Sequence, residues 1–222
     1  MRRALVLDTS SRWGNVAVVE QERSDRRPRT VAELGQRVER SHTAILLDLI
    51  DLVLSRAGCS KSDIDLFVAT RGPGSFTGVR IALGTVRGLG LATDRPCAGV
   101  TTLEAIAEAH GPAKLARVPL LPAGRGELYG ATYSADDSPP IELEPPWLGS
   151  PARAFGSGPA LLLLAGDLTP IDPPPGADSV TQLAAPPTIA GAAGRIALAR
   201  EEPSDLAPLY IRPPDALLHP RS

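Results

Sequence analysis

At 222 residues and 43% hydrophobic, the chain can bury a sizeable core as one large or two small units; with only 4% aromatic residues, that core must be aliphatic. A formal net charge of −2 argues against broad, autonomous nucleic-acid binding, which usually needs a basic face, but leaves room for work on RNA beside a basic partner. Cys59 and Cys97 have no metal spacing, the N-terminal apolar run is too short for a signal peptide, and no run approaches membrane-spanning length, which together point to a cytoplasmic chain with free thiols.

Strands are expected at residues 4–8, 13–20 and 30–37, an antiparallel meander. Ser41 reads as the N-cap of a helix running to Ala57, with Gly58 as its stop. Residues 64–69 read as a strand buried on both faces, followed by a glycine turn and a second long helix to about Ala92. A short strand at 97–100 precedes Thr101-Thr102-Leu103-Glu104, whose capping-box spacing opens a helix to His110. The order β-β-β-α-β-α-β-α implies an α/β layer fold with a mixed sheet.

Proline divides the chain, with three before residue 111 and twenty after it. Gly111-Pro112 is therefore expected to part a unit of residues 1–110 from a smaller, proline-rich unit of residues 111–222. The second is expected to hold strands at 118–121, 127–133, 141–143 and 161–165, a helix over 187–200 with Thr188 near its start, and an extended tail from Pro208. Both halves begin with strands around a Gly- or Ser-bearing turn, as worn copies of one fold would.

Two constellations carry chemistry. Arg71-Gly72-Pro73-Gly74-Ser75-Phe76-Thr77-Gly78 joins a strand to a helix, and Gly72, Gly74 and Ser75 could present backbone N–H groups to an anion. Asp8-Thr9-Ser10 ends the first strand, where a carboxylate and two hydroxyls could position a metal-bound phosphate. The competing readings are a tight strand-to-helix turn and an Asx or Ser/Thr turn. The second feature is apolar excess on both long helices. Asp48, Asp51 and Ser55 leave most of the first helix apolar, and Gly84 and Gly88 notch the second beside Arg80 and Arg87. Such faces mark deep burial or a partner. Histidines 42, 110 and 219 have no paired spacing for a metal site, and neither a G-x-S-x-G elbow nor a phosphate-loop lysine is present.

Leu5 to Ser10, Ser41-His42-Thr43, Arg71 to Arg80, Gly99 to Leu103, Arg125-Gly126-Glu127-Leu128-Tyr129, Gly156-Ser157-Gly158 and Pro208 to Arg212 resemble the TsaB (YeaZ) family of bacterial tRNA-modification proteins. The resemblance covers nearly the whole chain. It implies two ribonuclease-H-like halves of the actin/sugar-kinase/Hsp70 type with mixed sheets and flanking helices. It implies a role in forming N6-threonylcarbamoyladenosine at position 37 of tRNA as the non-catalytic partner of a TsaD-like paralogue, joined by a TsaE-like ATPase and meeting tRNA indirectly. On that reading the chain has no catalytic residue and no resident metal. Pairing through the long helices would fall on Ile45, Leu49, Leu52, Arg80, Gly84, Arg87 and Gly88, with a homodimer through the same surface as an alternative. ATP or ADP with magnesium is the cofactor such an interface would hold, through Asp8, Thr9, Ser10, Gly72, Gly74 and Ser75. One departure bears on this: Pro122-Ala123-Gly124 stands where the family carries an acidic residue and a basic one. The competing function is a nucleotide-binding, ATP-hydrolysing enzyme of the sugar-kinase type; a glycoprotease-like peptidase is weaker, for want of paired histidines.

Overall fold

The computed structural model describes residues 1–22, 27–38, 42–156, 158–176, 180–200 and 202–212. Ser41, the side chains of residues 42–44, Ser157 and residues 213–222 lie outside what is described, so the expected N-cap at Ser41 and the roles of His42 and His219 do too.

β1 (Arg2–Asp8), β2 (Trp13–Gln21) and β3 (Arg29–Arg37) form the expected meander. α1 (His42–Ala57) ends at Gly58, whose left-handed backbone lets the Gly58 and Cys59 amides donate to the Ser55 and Leu54 carbonyls. β4 (Leu66–Thr70) begins two residues later than the apolar run suggests, because Ile64 follows a short 3-10 turn at Lys61–Asp63. α2 (Phe76–Thr93), β5 (Cys97–Val100) and α3 (Thr102–His110) complete the half. Its strand order, β3-β2-β1-β4-β5, has the first three strands antiparallel and the last two parallel to β1, the ribonuclease-H-like arrangement.

The second half repeats it. β6 (Ala116–Gly124), β7 (Glu127–Tyr133), β8 (Glu142–Gly149), β9 (Ala160–Leu164) and β10 (Val180–Ala184) assemble in the order β10-β9-β6-β7-β8 with the same directions. The topology is therefore that of two ribonuclease-H-like halves, as expected. Two strands differ from the sequence reading. β8 runs past Leu143 to Gly149 and tolerates Pro145 and Pro146 because it is an edge strand. β10 has no counterpart in the sequence reading; Val-Thr-Gln-Leu-Ala lacks a strong apolar pattern, and it forms by parallel pairing with β9. A 3-10 turn at Pro151–Ala154 stands where the first half has α1, and only α4 (Ala190–Ala199) remains of the second half's α-helices among the described residues.

Alternation along the strands builds the layers. Leu5, Leu7, Val16, Val18 and Phe67 face α1 and α2. Ala4, Val6, Ala17, Val19 and Val68 face a central layer made by α3 and α4. Here the halves exchange helices: α4 packs on β1, β2 and β3 of the first sheet, while α3 packs on β6, β7 and β9 of the second. Glu104–Arg200 (2.6 Å) and Glu108–Arg195 (3.0 Å) tie the two helices together.

α4 starts without a side-chain cap of its own; Ile189, not Thr188, holds the N-cap position. Glu33 of β3 supplies the acceptor instead, taking the Gly191 amide at 3.0 Å. Burial pushes the Glu33 carboxyl above the usual glutamate range, while the Gly191 amide, the Arg195 guanidinium and the Ala190 amide pull the other way. A carboxyl whose folded pKa is raised binds its proton more tightly when folded. Its stabilising share is complete below the ordinary value of 4.5 and is lost as pH rises through the raised one. Urea midpoints measured upward from pH 4.5 should decline for the wild type and decline less steeply for Glu33→Gln, which keeps an acceptor oxygen for Gly191; parallel profiles would contradict the assignment.

Candidate functional site

The two loops singled out in the sequence meet, but differently from a phosphate cradle. β1 and β4 run parallel, so their C-terminal ends deliver Asp8-Thr9-Ser10 and the glycine turn to one edge. The Ser75 amide donates to the Ser10 carbonyl at 2.7 Å, and Thr9 Oγ1 donates to the Gly78 carbonyl at 2.7 Å. A Cβ added at Gly74 would run into the Ser10 carbonyl, and one at Gly78 into the Thr9 carbonyl. The glycines thus serve close backbone approach between the loops. Gly78→Ala should cost about 1–3 kcal/mol by forcing α2 away from β1, read as a lowered denaturation midpoint; an unchanged midpoint would contradict the contact.

Asp8 is 1% exposed and already occupied. Its Oδ1 accepts the Ser10 amide (3.0 Å) and the Thr70 hydroxyl (2.6 Å), and its Oδ2 accepts the Asn15 side-chain amide (2.9 Å). Ser75 caps α2 by accepting the Gly78 amide at 3.2 Å, as expected. Thr101 likewise caps α3 through the Glu104 amide at 3.1 Å, although the Glu104 carboxylate turns to Arg200 rather than closing the box. With Asp8 enclosed by donors and the turn filled by Ser10, these residues do not fit a magnesium-bound nucleotide. Among the described residues, no group of three or more His, Cys, Asp or Glu side chains could hold a metal ion.

In front of these loops lies a cleft of about 590 Å³ between the two halves. Ser10, Ser75 and Thr102 line it from the first half, and Leu121, Pro122 and Ile189 from the second. Arg12 and Asp167, from opposite halves, form an ion pair of 3.0 Å at its edge. The proline at position 122 therefore belongs to the cleft wall.

The helical face is the second site. α1 and α2 lie side by side on the outer face of the first sheet. Along α2, Thr77, Arg80, Gly84, Arg87, Gly88 and Leu91 are all exposed, one line up the helix. A Cβ at Gly84 or Gly88 would meet nothing within 4 Å. Leu91 is 87% exposed, and on α1 Leu47 and Leu52 are 59% and 47% exposed. Ile45 is half-buried. Leu49 departs from expectation: it is 7% exposed and packs with Leu46, Ile50 and Val53 in its own core, so the helix turns Leu47 and Leu52 outward in its place.

Sequence reasoning missed the tail's part in this face. Residues 202–212 cross β5 and the start of α2. The Leu209 amide donates to the Arg71 carbonyl (2.7 Å), Arg80 Nε to the Tyr210 hydroxyl (2.9 Å) and Arg87 to the Leu206 carbonyl (3.5 Å). Arg80 stacks on Phe76 at 3.8 Å and lies 5.8 Å from the Tyr210 ring. The Phe76–Arg80 pair at i, i+4 was the signal available in the sequence. Arg212 anchors the tail's far end on Ala123 and Glu127.

Comparison with known proteins places this geometry. A family model described as "TsaD: tRNA N6-adenosine threonylcarbamoyltransferase" matches residues 34–157, more than half of the chain. The Escherichia coli tRNA threonylcarbamoyladenosine biosynthesis protein TsaB is 37% identical over 103 residues, which are 45% of this chain and 44% of that protein; the match thus spans under half of that relative's length. An uncharacterized Mycobacterium tuberculosis protein, MT3530, is 30% identical over 188 residues, 82% of each chain. Of solved structures, YeaZ from Pseudomonas aeruginosa superposes with a TM-score of 0.72 at 25% identity over 95% of this chain and all of that one. A further P. aeruginosa structure, described as similar to peptidase YeaZ, reaches 0.75 at 26% identity over 96% and 100%. By sequence and by fold, the chain belongs to the TsaB (YeaZ) family, within the grouping that the TsaD-type model describes.

Proposed function

We propose that this chain is the non-catalytic partner that binds and activates a TsaD-like transferase in forming N6-threonylcarbamoyladenosine at position 37 of tRNA. The observation that carries the reading is the outward line of α2, where two glycines leave open space between flanking arginines and an exposed leucine. Small residues let a second helix approach closely. Exposed Asp48 and Asp51 on α1, the latter paired with Lys61, and exposed Arg80 and Arg87 on α2, each bonded to the tail, place both signs of charge on the two helices. The relatives' names supply the pathway. A TsaE-like ATPase, indirect contact with tRNA, a homodimer through the same face when the partner is absent, a cytoplasmic location and a division into units 1–110 and 111–222 belong to the same reading. No helix among the described residues is long and apolar enough to cross a membrane.

The ATP-hydrolysing alternative is less well supported, because Asp8 spends both carboxylate oxygens on donors of its own chain. Co-expression of the tagged chain with the TsaD-like paralogue of the same organism tests the proposal. An equimolar complex should co-elute, and deletion of this chain should deplete the modified nucleoside in tRNA. Separate elution with undiminished modification would refute it.

A further inference from the structure

Residues 204–212 hold on to both halves of the molecule. On the first half, the Gly99 amide of edge strand β5 donates to the Ser204 carbonyl at 3.4 Å, and Leu206 packs against the core that α1 and α2 cover. Arg71 donates to the Ala207 carbonyl at 3.3 Å, and the Leu209 amide returns a bond to the Arg71 carbonyl. Gly72 admits this path: its φ is +98°, and a Cβ there would press on the Leu209 carbonyl. Three residues further on, the Arg212 guanidinium donates to the Ala123 carbonyl at 2.7 Å and pairs with Glu127. Ala123 and Glu127 flank the turn that joins β6 to β7, in the second half.

Between these anchors stands Tyr210. Its hydroxyl accepts Arg80 Nε, and its ring lies 5.3 Å from that of Phe76, on which Arg80 stacks. Arg80 faces outward on α2. It is thus joined to the β6–β7 hairpin through Tyr210 and Arg212 in series. Two residues of chain span at most about 7 Å, which leaves little slack between them. We infer that residues 204–212 are a strap that relays the state of the α2 face to the hairpin of the other half. With Arg80 stacked on Tyr210, the strap pins the hairpin, which carries Pro122 into the cleft wall, to the first half. A carboxylate set before Arg80 would match its fork bidentately, compete with the single tyrosine hydroxyl and slacken the strap. The strap belongs to the single chain, so the inference does not rest on the pairing proposed above.

Hydrogen exchange of the purified chain, read on peptides spanning residues 120–130, tests it. Arg212→Ala should speed exchange in the hairpin about fivefold. Arg80→Ala should speed the same peptides about threefold, although Arg80 sits on the other half. Adding it to Arg212→Ala should change nothing more, because a tether cut twice in series is no looser than one cut once. Tyr210→Phe, which keeps the ring beside Arg80, should fall between wild type and Tyr210→Ala. Peptides from β1 and β2 should exchange as in the wild type throughout. Unchanged hairpin exchange in Arg212→Ala, acceleration by Arg80→Ala confined to residues 204–212, or additive effects in the double variant would each overturn the inference. So would acceleration that extends to β1 and β2, which marks a loosened fold rather than a released strap.

Discussion

Arg117→Ala is expected to destabilise the folded chain by about 3–5 kcal/mol. Arg117 is fully buried, and its guanidinium donates to four carbonyls: Ser134 (2.8 Å), Ala107 (3.1 Å), Gly111 (2.9 Å) and Asp137 (2.7 Å). Two of these acceptors end α3 and two lie in the loop after β7, so one side chain satisfies the close of a helix and a turn in the opposite half. Burial draws the guanidinium pKa down, with Glu108, Asp137 and Asp136 opposing. Truncation strands buried carbonyls and opens a cavity, a loss of about 3–5 kcal/mol. That is a large share of the roughly 5–15 kcal/mol that holds a typical protein folded. Arg117→Lys should rescue little, since an ammonium cannot span the planar fork of acceptors. Denaturant unfolding decides the matter; an alanine variant within about 1 kcal/mol of wild type, read against the same range, would show that water replaces the network.

Gly84→Arg should have the opposite profile, abolishing association while sparing the subunit. Its position is exposed, and a Cβ placed there would have open space for 4 Å around it. Arginine favours a helix interior over glycine by roughly 0.5–1 kcal/mol, so the lone chain should melt at the same temperature or higher. In a helix bundle the same side chain would fill the notch and bury a charge, weakening pairing more than about a hundredfold, near 3 kcal/mol. Gel filtration and pull-down with the TsaD-like paralogue would show it. Leu49→Arg cannot serve as this test, because Leu49 lies inside the core and the variant would unfold first. Leu52→Arg, at an exposed position on α1, supplies the matching second site. Retained pairing in both variants would remove the helical face from the proposal.

What could be read from the sequence follows the range of the interactions. The meander, both long helices and the caps at Ser75 and Thr101 are set by alternation, periodicity and side chains within three residues, so β1 to α3 lay close to expectation. β10 was invisible because its five residues have little pattern of their own and depend on β9. The start of α4 was misplaced because its acceptor, Glu33, is 158 positions away. The same distance effect altered the site. Asp8 looked available until Thr70, 62 residues on, claimed one oxygen. Leu49 looked available because an almost uniformly apolar helix does not declare which side meets its sheet.

The exchanged helices set the order in which this polypeptide can become safe from its surroundings. The sheet surface carrying Ala4, Val6, Ala17 and Val19 is sealed by α4, made from residues 190–199. A growing chain therefore carries a greasy, half-finished platform from the emergence of β1 and β2 until residues 190–199 have left the ribosome and can close it. Fragments that stop short of Ala190 should be sticky, protease-prone and dependent on chaperones even though every strand of the first sheet is present.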